Sequence, residues 1–175
     1  MNSREMVHRI TGLAFWLMLL GALISHGVLR ASPLGGKGSA VFLFIGAAYV
    51  LSGSGNWRRL VLAGFLGYCS EVWGVHSDFL FGRYVYTTIL EPSVFGAPVA
   101  MVGAWLLLFG YARQIASSLT EWKFGQLLLA SALMVGMDVV IDPLAAHPLN
   151  FWNWLEPGPY YGIPLRNFLG WFGVT

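Results

Sequence analysis

Five apolar runs, at about 10–29, 39–55, 60–75, 98–112 and 125–142, divide this chain, and acids interrupt two of them. A helix needs roughly 20 apolar residues to cross a bilayer, so each run is close to spanning length. The chain is 57% hydrophobic and only 10% charged, against about a quarter charged in a soluble domain. The expected fold is therefore all-α: a polytopic helical membrane protein with about five to six hydrophobic segments in one domain, 1–175. A formal net charge of +2 is too small to favour nucleic acid as a partner. Trp and Tyr are plentiful, as suits rings at the lipid–water boundary. Cys69 is the single cysteine, which excludes a disulfide framework and a cysteine metal site. It reads as a small hydrophobe.

Arg4 and Arg9 precede the first run, but no convincing small-residue cleavage site follows it, so it reads as a span and not a signal peptide. A loop with Pro33, Gly35, Gly36 and Lys37 leads to the second run. Alternation then puts Arg4, Arg9, Arg58, Arg59, Arg113 and Lys123 on one side, and Arg30, Lys37, Arg83 and Arg166 on the other. That bias places the N-terminus in the cytoplasm. The last stretch, IPLRNFLGWFGVT, is too short to span alone; a half-span, a re-entrant piece or the stump of a longer protein is expected.

The chain also writes one phrase twice. LEPSVFGAP begins at Leu90 and LEPGPYYGIP at Leu155, with Trp105 and Trp171 following at matched distances. Upstream, Glu71 and Asp78 precede the first phrase much as Asp138 and Asp142 precede the second. Each half reads as a span ending in carboxylates, an aromatic loop, and a span with Trp. The expectation is a parallel internal repeat, about 60–113 and 125–175, building one site between its copies. Chance similarity of two Pro-Gly loops is the alternative.

The acids carry the chemistry. A carboxyl group near the bilayer core costs about 2.5–3.5 kcal/mol on insertion scales, so it should face a partner or a cavity. Gly64, Gly67, Glu71, Gly74 and Asp78 step by three and four and share a helix face. Asp138 and Asp142 are four apart and share another. Four acids are thus expected to converge at one membrane boundary, where crowding leaves at least one protonated. A carboxylic acid in an aromatic pocket suits protonation of a carbon–carbon double bond. Ring faces would then stabilise the cation, from Trp73, Tyr84, Tyr86, Trp105, Trp152, Trp154 and Trp171, and a second carboxylate would position water. The competing structural reading pairs these acids with Arg83 and Arg166 as struts.

Other polar groups read more plainly. His26, His76 and His147 fall on the carboxylate side without a metal-ligand spacing, so no metal site is expected. Glu91 and Glu156 precede prolines and read as solvated turn residues. Arg166 and Asn167 lie in an apolar segment and are expected to hydrogen-bond the site or its acids. No phosphate loop, serine elbow or cysteine nucleophile is present.

The runs E…G…FGRYVYT, MDVVIDPLA and FWNWLEPGPYYGIPLRNFLGW, spanning about 71–171, resemble the CruF-type family of carotenoid-biosynthesis membrane proteins. That family includes carotenoid 1,2-hydratases and bisanhydrobacterioruberin hydratases. The resemblance implies addition of water to a terminal isoprenoid double bond, giving a tertiary alcohol with no cofactor. Carried over by position, it marks Glu71, Gly82, Tyr84, Tyr86, Pro98, Trp105, Asp138, Asp142, Pro143, Trp152, Trp154, Tyr161, Gly162, Pro164, Asn167 and Trp171. Family members continue past the final Gly-Trp, which leaves the prenyl substrate open.

The reading is a hydro-lyase in a bacterial or archaeal cytoplasmic membrane, with a lipophilic isoprenoid substrate, lipid around it and homo-oligomers possible. Asp138 or Glu71 would donate the proton, and Asp142 or Asp78 would help hold the proton or water. Trp73, Tyr84, Tyr86, Trp105, Trp152, Trp154, Tyr161, Asn167 and Trp171 would bind the substrate. A prenyl-chain cyclase with the same first step is the near alternative. A transporter or binding protein with proton-relay carboxylates is the distant one.

Overall fold

The structure, a computed structural model, describes residues 2–28 and 35–175. The expected sidedness of Arg30, the turn at Pro33 and the His26 side chain lie outside the described residues. Helix α1 (Ser3–Ala22) begins on a capping box: the Arg4 N–H donates to Asn2 Oδ1, and the Asn2 N–H to Glu5 Oε2. A π-helical turn, Leu23–Val28, extends it. Helix α2 (Gly35–Gly53) packs along α1, where the His8 ring stacks on Tyr49 and its Nδ1 lies 3.1 Å from Ser52 Oγ.

Helices α3 (Trp57–Ser77), α4 (Ala100–Leu119) and α5 (Lys123–Ala146) follow, with the short α6 (Leu165–Val174) last. Helix α4 is central and touches α2, α3 and α5, while α6 lies on α5. Small residues set these approaches. Gly103 brings α4 against the backbone at Leu43 of α2, and Gly64 and Gly67 bring α3 against Leu106 and Trp105 of α4. Ile10, Leu13, Trp16, Leu17 and Leu20 of α1 stay exposed, a lipid-facing surface.

Among the described residues three segments, Ser3–Ser25, Gly35–Gly53 and Lys123–Ala146, are long and apolar enough to cross a membrane. The chain is an all-α helical membrane protein. Its last helix is 10 residues long, about 15 Å at 1.5 Å per residue, half of what a bilayer needs.

Between α3 and α4 the chain forms strand β1 (Tyr84–Tyr86), a 3₁₀ turn (Thr88–Leu90), and a small hairpin of β2 (Ser93–Val94) and β3 (Ala97–Pro98). Strand β4 (Trp152–Trp154) lies between α5 and α6 and pairs antiparallel with β1, Tyr84 opposite Trp154 and Tyr86 opposite Trp152. Strand alternation puts those four rings on one face of the ribbon. The β2–β3 turn has φ of 50° at Phe95 and 79° at Gly96; Tyr161 and Gly162, at the matching place in the second phrase, have 50° and 79°. Two successive positive φ values make a tight hairpin turn, and glycine meets the second at no steric cost.

Candidate active site

Under the β1–β4 ribbon the ends of α3 and α5 meet, and three acids are buried there: Glu71 (4% exposed), Asp138 (3%) and Asp142 (1%). Glu71 follows Gly64 and Gly67 on the packed face of α3, while Asp138 and Asp142 share one face of α5. Asp138 and Asp142 are joined by Asn167 of α6, whose Nδ2 donates to Asp138 Oδ2 at 2.6 Å and Asp142 Oδ2 at 2.8 Å.

The ribbon serves both sides of the site. From β1, the Tyr84 and Tyr86 hydroxyls each donate to Glu71 Oε2 at 2.8 Å. From β4, the Trp152 and Trp154 indoles donate to Asp142 Oδ1 at 2.9 and 3.2 Å. Helix α4 adds Trp105, donating to Glu71 Oε1 at 3.0 Å. Glu71 thus accepts from Tyr84, Tyr86 and Trp105, and Asp142 from Trp152, Trp154 and Asn167, which uses most of the lone pairs of each carboxylate. Asp138 accepts from Asn167 alone among the described side chains, and its Oδ1 has no partner among the described residues. Burial, and then the charge of Glu71, push the Tyr84 and Tyr86 hydroxyls above the ordinary phenol range near 10, so both stay protonated donors.

Neither of the ion pairs in the described residues reaches these acids: Arg83 bonds Asp78 at 3.3 Å and Arg166 bonds Glu156 at 3.8 Å, all on exposed side chains. The buried acids are therefore held by neutral donors. Among the described residues no group of three or more His, Cys, Asp or Glu side chains is arranged to hold a metal ion.

A void of about 20 Å³ lies at the centre, lined by the three acids together with Phe81, Tyr84, Tyr86, Met101, Trp152, Trp154, Asn167 and Trp171. That is room for one water. Trp152 and Trp154 also wall a second cavity of about 230 Å³, lined by Ala146, His147, Asn153, Pro157 and Gly162. Trp152 and Trp154 thus border both spaces.

Most of the residues singled out in the sequence meet here, but four do not. Asp78 caps α3 in the left-handed conformation (φ 54°), so the step of four that would place it beside Glu71 fails one residue past the helix. Its side chain pairs with Arg83 at the surface, as a strut, and the convergence involves three acids and not four. Trp73 is 55% exposed on the outer face of α3, against Phe79. Tyr161 is 67% exposed at its turn, where its carbonyl oxygen lies 2.7 Å from His147 Nε2. Arg166 turns away from the acids toward the Asp78 carbonyl and Glu156. Phe81 and Met101 line the chamber without having been singled out. Phe81 sits in the FGRYVYT run, whereas Met101 looks like any apolar helix residue.

Comparison with known proteins gives the family of the chain. Residues 38–175 match the family described as carotenoid biosynthesis protein. The chain is 31% identical over 121 residues to the bisanhydrobacterioruberin hydratase of Haloarcula japonica, an alignment covering 64% of this chain and 39% of that relative. The match therefore spans about two fifths of the length of that protein. No solved structure matches it. The matched segment holds every chamber residue, from Glu71 to Trp171, and the chain belongs to the carotenoid biosynthesis protein family.

Proposed function

We propose that this chain is a hydratase that adds water to the terminal double bond of a carotenoid or related isoprenoid, with a carboxylic acid as the initiating group. One observation carries the reading. Three acids are buried among aromatic rings with no ion-pair partner among the described residues, and most of the lone pairs of two of them are taken by neutral donors. Negative charge held without a counter-ion in low dielectric favours whatever positive charge develops between the groups.

Asp138 is the proton donor on this reading, because it alone keeps an oxygen without a partner facing the chamber. Its O–H bond breaks as a C–H bond forms at the less substituted alkene carbon, leaving a tertiary cation. The π electrons of Trp105, Trp171, Tyr84 and Trp154 surround that cation, and Glu71 and Asp142 balance it. A water oxygen then forms the C–O bond, and its surplus proton returns to Asp138. Alkene and water give a tertiary alcohol with no redox change, so the residues of the chamber supply every step. The hydratase name of the Haloarcula relative supports the reaction class.

The alkene needs more room than the inner chamber offers. The 230 Å³ cavity behind Trp152 and Trp154 is the approach for the chain end, which enters as the indoles shift.

The test is co-expression in a bacterium that accumulates carotenoids with open-chain ends, comparing wild type with Asp138→Asn by chromatography and mass detection. A product heavier by one water, absent with Asp138→Asn, is expected. A new isomer of unchanged mass would replace hydration by cyclisation. No product from protein that is correctly inserted in the membrane would sink the reading for these substrates.

A further inference from the structure

The two halves of the site are not equal, and the inequality lies at the chamber. In the first half, Glu71 of α3 accepts a hydrogen bond from Trp105 of α4. In the second, Asp138 stands on α5 where Glu71 stands on α3, and Trp171 stands on α6 where Trp105 stands on α4. Their intervening turns share the same pair of φ values, their strands pair with each other, and the two indoles stack. A faithful second copy would have Trp171 Nε1 donate to its acid.

That bond is not made. Trp171 Nε1 donates to no described residue, and Asp138 Oδ1 accepts from none. Neither atom is sealed away from space: the buried polar atom without a partner among the described residues is the Tyr111 hydroxyl, elsewhere. The chemical difference is one methylene, since Asp is that much shorter than Glu. Asp138, Asn167 and Trp171 are among the residues that line the void of about 20 Å³.

We propose that this void is the binding site of the reacting water, opened by the shorter acid of the second half. The inference rests on the hydratase reading and adds to it which side of the chamber supplies the nucleophile. A buried water is held by two to four polar partners. The Trp171 N–H donates to one lone pair of the water. The Asn167 Oδ1, which accepts from no described residue while Nδ2 serves both aspartates, takes one of its hydrogens. Asp138, once it has given its proton to the alkene, takes the other. The remaining lone pair faces the cation, so the C–O bond forms as the second hydrogen passes to Asp138 and restores the acid. Glu71, sealed by Tyr84, Tyr86 and Trp105, does not take part in water delivery.

Without that water, a cation formed in the chamber reverts by proton loss. The partition between hydration and reversal is therefore the readout. In D₂O, reversal leaves deuterium in unhydrated carotenoid, and capture gives the heavier alcohol. Detergent-purified protein is incubated in D₂O with a carotenoid bearing open-chain ends, for wild type, Trp171→Phe and Asp138→Glu. Trp171→Phe keeps a stacked ring but lacks the N–H. Asp138→Glu keeps the acid but extends it into the void. The ratio of alcohol to deuterated, unhydrated carotenoid is expected to fall at least tenfold in each.

A wild-type ratio in either folded variant overturns the water site, and so does a variant that loses exchange and hydration together. Exchange without any hydration in wild type overturns the water site but leaves the acid chemistry standing. Neither product in wild type sinks the hydratase reading itself.

Discussion

Trp105 and Trp171 lie face to face, with ring centroids 4.5 Å apart and planes 11° from parallel. One comes from α4 and the other from α6, so the stack ties the two halves of the site together beneath the ribbon. Trp105 also donates to Glu71, and this second duty makes it the more costly of the two to change. Replacing it with Phe keeps a ring in the stack but withdraws a hydrogen bond from a buried acid, a loss of about 1.5–3 kcal/mol. Thermal unfolding in detergent, followed by circular dichroism, should show that destabilisation for Trp105→Phe. Trp171→Phe, which loses no hydrogen bond to a described residue, should melt within a few degrees of wild type.

Asn167 is the link between the two aspartates. Without its amide, Asp138 loses its one side-chain partner among the described residues, and Asp142 keeps only Trp152 and Trp154. Positioned acid catalysis contributes typically 10²–10⁴-fold, so Asn167→Ala should lower alcohol formation by about 100-fold in membranes that contain normal amounts of protein. Activity within threefold of wild type would remove Asn167 from the machinery.

The surface pair at the end of α3 makes the opposite prediction. Asp78 and Arg83 are 50% and 61% exposed, and exposed pairs are worth about 0–1 kcal/mol. Asp78→Asn should keep activity within about twofold of wild type, while Asp142→Asn, one helix away in the buried cluster, should abolish it. Equal losses in the two variants would place Asp78 back among the working acids.

These contrasts also mark what the sequence conveyed and what it withheld. The acids stood out because a carboxylate in an apolar run is expensive, and the paired phrase placed them on corresponding helices. Trp152, Trp154, Tyr84 and Tyr86 stood out for their density, but the ladder that aims all four into one chamber depends on β1 pairing with β4 across the whole of α4 and α5. No local pattern announces a three-residue strand so far from its partner. Asp78 misled because stepping by four assumes the helix continues, and the left-handed turn that ends it is settled by the loop beyond. Met101 was silent because an apolar residue carries no mark of which cavity it borders.

The tyrosines under the ribbon give a pH prediction with a definite sign. Burial, reinforced by Glu71, raises Tyr84 and Tyr86 above the ordinary value near 10. In the unfolded chain they ionise near 10, and in the folded protein they do not. Their contribution is thus fully present below pH 10 and is lost as pH rises beyond it, by about 1.4 kcal/mol per unit for each tyrosine. Stability measured between pH 9 and 11.5 should fall steeply above 10, and Tyr86→Phe should make that fall shallower. A slope unchanged by Tyr86→Phe would mean that the hydroxyl is not sealed.

Two glycines test whether the chamber wall is as tightly packed as the geometry requires. At Gly67 a methyl group would drive into the Trp105 ring, whereas at Gly136 it would meet nothing within 4 Å. Both lie inside helices, where alanine is intrinsically favoured by about 0.8–1.0 kcal/mol. For Gly136→Ala that preference acts alone, so stability should hold or rise slightly and activity should persist. For Gly67→Ala overpacking costs about 1–3 kcal/mol, and the displaced indole can no longer reach Glu71, so stability and alcohol formation should fall together. If Gly67→Ala were as active and stable as Gly136→Ala, α3 and α4 would have room to part, and the close approach that positions Glu71 would not be a requirement of the site.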